Sequence, residues 1–244
     1  MTILADQAGA VGSDDLGALP ERRTTSLSHS RRLRGKIQMA RAGLDAAAEA
    51  LWTHPRLREI YPEFLFRNHA VIRCSVPLMK AAAERCEKML DTDPVAPGML
   101  EYFRHHIPEE TGHDEWVLDD LATLGFRRED ILKRIPPPSA AALAGAQYYW
   151  IRHVHPVAML GFIAVLEGTP PDVAFFESTA DRIGVPRRAF SNLLLHGKLD
   201  PQHRDDLDLA LDALPLTDDH HALMGVSAFQ TIHLLTCVAS EAVQ

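Results

Sequence analysis

Helical periodicity is the feature that most constrains what this chain can fold into. Between Ser30 and Trp52, apolar and alanine side chains recur at three- and four-residue spacing, which is typical of a helix with one buried face. Stretches with the same character follow at residues 62–90, 99–124, 128–135, 140–166, 172–183, 187–195, 205–214 and 222–243. No alternating run of five or more residues indicates a strand. We therefore predict an all-α, single-domain bundle of about seven main helices.

The N-terminal residues lack this periodicity. Residues 1–24 are rich in Gly, Ala and Asp and predict a disordered tail ahead of a helical domain at residues 25–244. The longest apolar stretch, Pro156–Leu166, is much shorter than the roughly 20 residues that span a bilayer. The first residues also lack the pattern of a secretory signal. We therefore expect a cytoplasmic protein with no membrane partner.

Charge and cysteine usage exclude two further classes of protein. The net charge of −8 argues against a nucleic-acid partner, because phosphate binding requires a basic surface. Cys74, Cys86 and Cys237 stand singly within apolar patterns and form no C-x-x-C pair, so we interpret them as buried thiols. The one basic run, at residues 31–36, is interpreted as a solvated helix face.

The first group of metal-ligand side chains lies at residues 105–116. Glu110 and His113 are three residues apart, so on a helix they would share one face, with His106 one turn earlier on that face. Helical bundles use Glu-x-x-His to present a carboxylate and an imidazole to iron. The alternative is an ordinary charged surface, because several further acidic residues surround this motif.

The second group is His196, Asp200 and His203, at offsets that place all three along one helical stripe. Two imidazoles and one carboxylate suit a transition metal better than calcium or magnesium. Pro201 disfavours helical geometry at Asp200, so we expect a kink or local unwinding there. The alternative is a polar helix end capped by Asp200, with His203 on the surface.

The third element is a single acid, Glu167, at the end of the apolar run that begins at Val157. It is either a buried ligand or a helix end that reaches solvent, which the following Gly168 would also explain. Burying three carboxylates and three imidazoles from three helices is costly unless cations compensate their charge. The three groups together therefore predict a buried site that holds two metal ions.

In their order and spacing, these motifs resemble the heme-oxygenase-like diiron oxidases, also called iron-containing redox enzymes, whose fold is shared with TenA- and PqqC-like proteins. The resemblance covers residues from about 30 to 240, and His-x-x-x-Asp-x-x-His is its most specific part. It implies a heme-oxygenase-like bundle with two iron ions, or one, on central helices. The ligands that it implies are Glu110, His113, Glu167, His196, Asp200 and His203.

The chain departs from this family at an earlier helix, where a further glutamate is usual and none is present. The segment 66–77 resembles the PqqC-like helix, whose pocket-facing positions correspond to His69 and Arg73. His69 would then be a replacement ligand or, alternatively, a core histidine. Arg73 would bind a substrate carboxylate through its planar donors or, alternatively, lie at the surface. For His106 we expect a supporting hydrogen bond in the second shell of the site.

The function implied by the resemblance is that of an oxidoreductase that uses dioxygen to oxidise a small amine, amino acid or fatty-acid-like molecule. Electrons would come from an external donor, since no Gly-rich phosphate loop indicates a nucleotide cofactor. We also expect a homodimer. Two alternatives remain open, namely a metal-free PqqC- or thiaminase-like enzyme of the same fold and a non-enzymatic binding protein whose metal site has decayed.

Overall fold

The structure, a computed structural model, describes residues 27–243. Within that range the chain is all-α and contains no strand, as predicted. Its helices are α1 (His29–Ala40), α2 (Ala42–Trp52), α3 (Leu57–Glu87), α4 (Ala96–Glu110), α5 (His113–Thr123), α6 (Arg128–Lys133), α7 (Pro138–Tyr149), α8 (Ala158–Leu166), α9 (Val173–Ile183), α10 (Ser191–Ala213) and α11 (Asp218–Glu241). The predicted disordered tail lies outside the described residues.

The bundle is organised around α11, which packs against α8, α2, α7 and α1. By length and composition α11 could cross a membrane, but here it is a core helix whose buried residues face its neighbours. At Gly161 of α8 the backbones approach so closely that a Cβ would lie 2.2 Å from the Met224 carbonyl oxygen. A glycine at this position therefore permits the α8–α11 contact.

Two stretches predicted as single helices are interrupted. Residues 99–124 divide after Glu110, where Thr111 is extended and Gly112 adopts φ +97°, so α5 starts afresh at His113. Residues 140–166 divide at a π-helical turn, Trp150–Val154, that ends before Pro156. Both breaks move side chains from the faces that a straight helix would give them.

The opposite error occurs at residues 187–214. Two helices were predicted there, whereas after a short 3₁₀ turn at Arg187–Phe190 a single helix, α10, runs through Pro201. The expected unwinding at Asp200 is wrong, because residues 191–213 are assigned as one continuous helix. His196, Asp200 and His203 therefore keep regular helical spacing.

The basic run at residues 31–36 is not simply a solvated face. Arg34 donates hydrogen bonds to the Ala164 carbonyl, 2.9 Å away, and to the Asp208 carboxylate, at 2.8 Å. Gly168 makes room for this guanidinium, since a Cβ there would lie 2.6 Å from its Nη1. Arg34 thus ties α1 to the end of α8 and to α10, the two helices that flank the site described next.

Candidate metal centre

Four side chains from three parts of the chain meet in the interior. His106 and Glu110 come from α4, Glu167 follows α8 directly, and His203 comes from α10. Each offers a ligand atom, and these atoms all lie within 4.8 Å of one another. We call these four residues the central cluster. All four are buried, with between 1% and 8% of their surface exposed.

Two further histidines flank the central cluster. His113 of α5 places Nδ1 3.2 Å from Oε1 of Glu110, despite the helix break between them. The ring of His196 on α10 packs edge-on against that of His113, with ring centroids 4.9 Å apart. Of the residues singled out in the sequence, the structure therefore brings Glu110, His113, Glu167, His196 and His203 together.

Several ligand atoms in this region are buried and have no hydrogen-bond partner among the described residues. These atoms are Glu110 Oε1, His113 Nδ1, Glu167 Oε2, His196 Nε2 and His203 Nδ1. Glu110 Oε1 lies 3.2 Å and 3.4 Å from the His113 and His203 nitrogens, yet it accepts a hydrogen bond from neither. Leaving so many buried polar atoms unpaired is costly. Carboxylate oxygens and imidazole nitrogens that converge in this way fit a transition-metal ion.

Asp200 has a different position from the one expected for a member of the ligand cluster. Its Oδ1 lies 2.8 Å from Nδ1 of His196, which leaves Nε2 of that ring buried and unpaired. A metal-binding histidine is usually oriented by a carboxylate that accepts a hydrogen bond from the ring nitrogen that does not bind the metal. Asp200 is therefore placed to orient His196, although it also lines the adjoining chamber.

His106 has a larger part in the site than the sequence indicated. It was expected only as a supporting residue, but its Nε2 lies 2.9 Å from Glu167 Oε1 at the centre of the cluster. Burial lowers the pKa of His106, but the hydrogen bond and charge of Glu167 outweigh it and raise that pKa to about 9. The spacing His-x-x-x-Glu to Glu110 on α4 was the signal that could have identified it.

The charge on Glu167 is disfavoured by burial. Burial raises the pKa of its carboxyl group, against the lowering effect of His106. Aromatic rings limit movement of the neighbouring imidazoles, since Tyr102 stacks on His106 and Trp116 stacks on His113 with a centroid distance of 3.9 Å. These stacked rings therefore restrict the imidazoles, although the buried atoms named above have no hydrogen-bond partner among the described residues.

Asp120 joins the two helices that carry the flanking histidines. From α5 it accepts hydrogen bonds from the backbone N–H groups of Ser191 and Asn192, at 3.0 Å and 3.1 Å, and from the Ser191 hydroxyl. These N–H groups belong to the first turn of α10 and have no partner within the helix. Asp120 thus fixes the start of α10 relative to α5, and hence His196 relative to His113.

One cavity adjoins the central cluster, and a second, larger cavity lies beside the first. A chamber of about 160 Å³ is lined by Glu110, Glu167, His196 and Asp200 on one side and by α3 on the other. Several of its lining residues also line a larger, mostly apolar cavity of about 500 Å³. The larger cavity, at about 500 Å³, has an ordinary volume for a small-molecule site.

Neither residue proposed from the α3 resemblance belongs to this region. His69 is buried, and burial together with the charge of Arg73 lowers its pKa. It belongs to neither the central cluster nor the lining of either cavity. Arg73 is exposed and lines neither cavity. The structure thus does not bring His69 or Arg73 to the metal ligands, and α3 faces the chamber with other residues.

A second group of potential ligands is formed by Asp93, His155 and His220, which we call the peripheral cluster. Nε2 of His155 lies 2.8 Å from Asp93 Oδ2, while its Nδ1 accepts a hydrogen bond from the Val157 N–H. Nδ1 of His220 likewise accepts one from a backbone N–H. In a neutral ring this leaves the proton on Nε2, so the nitrogen facing Asp93 is a donor and has no lone pair for a metal.

The fold has counterparts among solved structures. A domain of unknown function with a heme-oxygenase-like fold from Shewanella denitrificans is 16% identical over 88% of this chain and 92% of that chain, with a TM-score of 0.75. A TenA homolog from Pseudomonas syringae is 13% identical over 88% and 93%, with a TM-score of 0.69. Heme oxygenase from Leptospira interrogans is 15% identical over 88% and 100%, with a TM-score of 0.54. At these identities the likeness concerns the fold alone.

The fold and the buried carboxylate–imidazole site thus define a heme-oxygenase-like helical protein with ligands suited to a metal. The family of iron-containing redox enzymes matches residues 101–231, more than half of the chain, and the chain belongs to this family. The matched range includes every residue of the central cluster and both flanking histidines, and it excludes His69 and Arg73. No curated protein matches the sequence.

Proposed function

We propose that the protein is a non-heme iron oxidase or oxygenase that holds two iron ions at the central cluster and uses dioxygen to oxidise a small amine, amino acid or fatty-acid-like molecule. The observation that carries this proposal is the set of buried ligand atoms left without hydrogen-bond partners. Membership of the iron-containing redox family supports iron over other metals. Iron bound there would supply dioxygen activation, with electrons from an external donor.

The chain's own residues would prepare the site in three ways. Glu110, Glu167 and the imidazoles around them would hold the metal, and Asp200 would keep the His196 ring oriented through Nδ1. The stacked rings of Tyr102 and Trp116 would limit rotation of the ligands. The apolar walls of the large cavity would exclude water and accommodate the substrate.

A metal-free, TenA- or thiaminase-like enzyme is the second candidate, because a TenA homolog shares the fold. A thiaminase-type mechanism requires a reactive cysteine beside a base. Burial raises the pKa of the Cys74 and Cys86 thiols to about 12, so both stay protonated. Cys237 lies 4.0 Å from the His233 ring but lines neither cavity. The state of these cysteines favours the iron proposal over a thiaminase-type mechanism. A non-enzymatic protein that binds a small molecule is the third candidate.

The test is anaerobic loading with ferrous iron, followed by measurement of iron per chain in the wild type, His196→Ala and His69→Ala. We expect His196→Ala to lose iron, because its unpaired Nε2 points to a ligand role. His69→Ala is the matched control, a buried histidine outside the cluster that should leave the iron content unchanged.

Dioxygen consumption by the iron-loaded wild type then separates the remaining candidates. Iron binding with no oxygen uptake in the presence of a reductant and a panel of amines, amino acids and fatty acids would favour the non-enzymatic binding protein. A wild type that binds no iron would favour the metal-free enzyme. Equal iron in the wild type and His196→Ala would overturn the assignment of His196 as a ligand.

A further inference from the structure

Asn192 is a buried amide that is unpartnered at its oxygen beside the proposed iron site. It lies on α10 one turn before His196, lines the small chamber and is 1% exposed, and its Oδ1 has no hydrogen-bond partner among the described residues. Another buried amide, Gln147, is 0% exposed, and it accepts from Ser227 and donates to Thr231. Both polar atoms of the Gln147 amide are therefore hydrogen-bonded, whereas the oxygen of the Asn192 amide is not.

A second amide, Asn68 of α3, also lines the chamber. Asn68 is one of several residues that line both the chamber and the large cavity. Its neighbours on α3, Val71 and Ile72, are apolar, and the large cavity continues with Leu44, Phe64 and other apolar side chains. A molecule that occupies both spaces would therefore have its polar end near two amides and its body among apolar groups.

The charges on these walls indicate which polar end would fit. Arg41 lines the large cavity, but its guanidinium is paired with Asp45 at 2.7 Å and donates to the Thr169 hydroxyl at 2.6 Å. The residues that line the small chamber in the described part of the chain include no Lys or Arg. A carboxylate head would meet the carboxyl groups of Glu110, Glu167 and Asp200 in this chamber, whereas an N–H or O–H could donate to the unpaired Asn192 oxygen.

We propose that Asn192, together with Asn68, binds the head of an amphipathic substrate whose apolar body fills the large cavity, and that this head is a hydrogen-bond donor such as a hydroxyl, amine or amide. The proposal rests on the proposed function for its meaning as a substrate site. It narrows the expected substrates to those that carry a donor group beside the metal. The amides recognise the head, and the cavity selects the body by size and apolarity.

Binding to the iron-free protein tests this independently of any metal. The probes are 1-octanol and 1-fluorooctane, which have similar shape and differ in the donor, and octanoate as the carboxylate. Trp52 lines the large cavity, so its fluorescence reports occupancy, with Trp52→Phe identifying its signal. We expect the wild type to prefer 1-octanol over 1-fluorooctane by about 3- to 10-fold, the usual worth of one hydrogen bond, and to bind octanoate more weakly than 1-octanol.

The variant Asn192→Leu removes the amide at similar volume and should abolish the preference for 1-octanol while the affinity for 1-fluorooctane remains. Thr169→Val is the matched control, because Thr169 lines the same two cavities but its hydroxyl already accepts from Arg41. It should keep the preference. An unchanged preference in folded Asn192→Leu would overturn the proposal, and the absence of a preference in the wild type would overturn it even if the variant does not fold. Iron binding is measured separately, so failure here leaves the iron proposal standing.

Discussion

The central and peripheral clusters contain the same kinds of side chain but differ in what their ring nitrogens do. Each has carboxylate and imidazole ligand atoms within 4.8 Å of one another. In the peripheral cluster, His155 and His220 each accept a hydrogen bond from a backbone N–H at Nδ1, and Asp93 accepts a hydrogen bond from Nε2 of His155. In the central cluster, Glu110 Oε1 and His203 Nδ1 are close together but unpaired. Closely spaced carboxylates and imidazoles therefore do not by themselves indicate a metal site. The indication comes from ligand atoms that are buried and not already hydrogen-bonded.

The largest expected effect concerns iron affinity. Glu110→Ala should weaken ferrous iron binding by at least about 100-fold, because even residues that only support metal ligands contribute about 10- to 100-fold. Asp93→Ala should leave the affinity unchanged, since Asp93 already accepts hydrogen bonds from His155 and from the Val95 N–H. Anaerobic titration of both variants gives the two affinities. A similar loss in the two variants would remove the distinction between the clusters.

Stability of the iron-free protein should show the reverse order. Asp93→Ala leaves two donors without their acceptor, so we expect its free energy of unfolding to fall by about 1–3 kcal/mol. Glu110→Gln should lower it by less, because Oε1 of Glu110 has no well-aligned hydrogen bond to lose. Burial opposes the charge of Glu110, but the nearby imidazoles outweigh it and lower the pKa of this carboxyl group, so only that net stabilisation of the charge is lost. Urea unfolding of the iron-free proteins measures both values. A larger destabilisation in Glu110→Gln would show that the central atoms are paired in solution.

The smallest effect is the acid dependence of the peripheral cluster. Burial raises the pKa of Asp93, but hydrogen bonds from His155 and the Val95 N–H outweigh it and hold the pKa below its usual value. An acid whose pKa is lowered on folding stabilises the protein above its unfolded pKa of about 3.9 and loses that contribution as pH falls through the folded value. Unfolding free energies between pH 5 and pH 3 should therefore fall less steeply in Asp93→Asn than in the wild type. Equal slopes would show that these hydrogen bonds do not favour the ionised form of Asp93.

Local pattern predicted much of the fold and of the ligand set. The spacing of apolar residues indicated the helices, because a helix that buries one face must repeat with the period of its backbone. Glu110, His113, Glu167, His196 and His203 were identified by their residue types and offsets. The breaks between helices were predicted less well. Thr111–Gly112 interrupts a helix that the periodicity continues, and Pro201 lies inside a continuous helix that the sequence pattern divides.

By itself, then, the sequence determined the all-helical class and which acids and imidazoles share a helix face, since both follow from the 3.6-residue period of each segment. The tertiary structure alone decided that His106 belongs to the central cluster, that His69 does not, and that Asn192 faces a chamber. These outcomes depend on where helices distant in the chain cross and how their side chains pack there. The period of a single helix carries no information about that crossing.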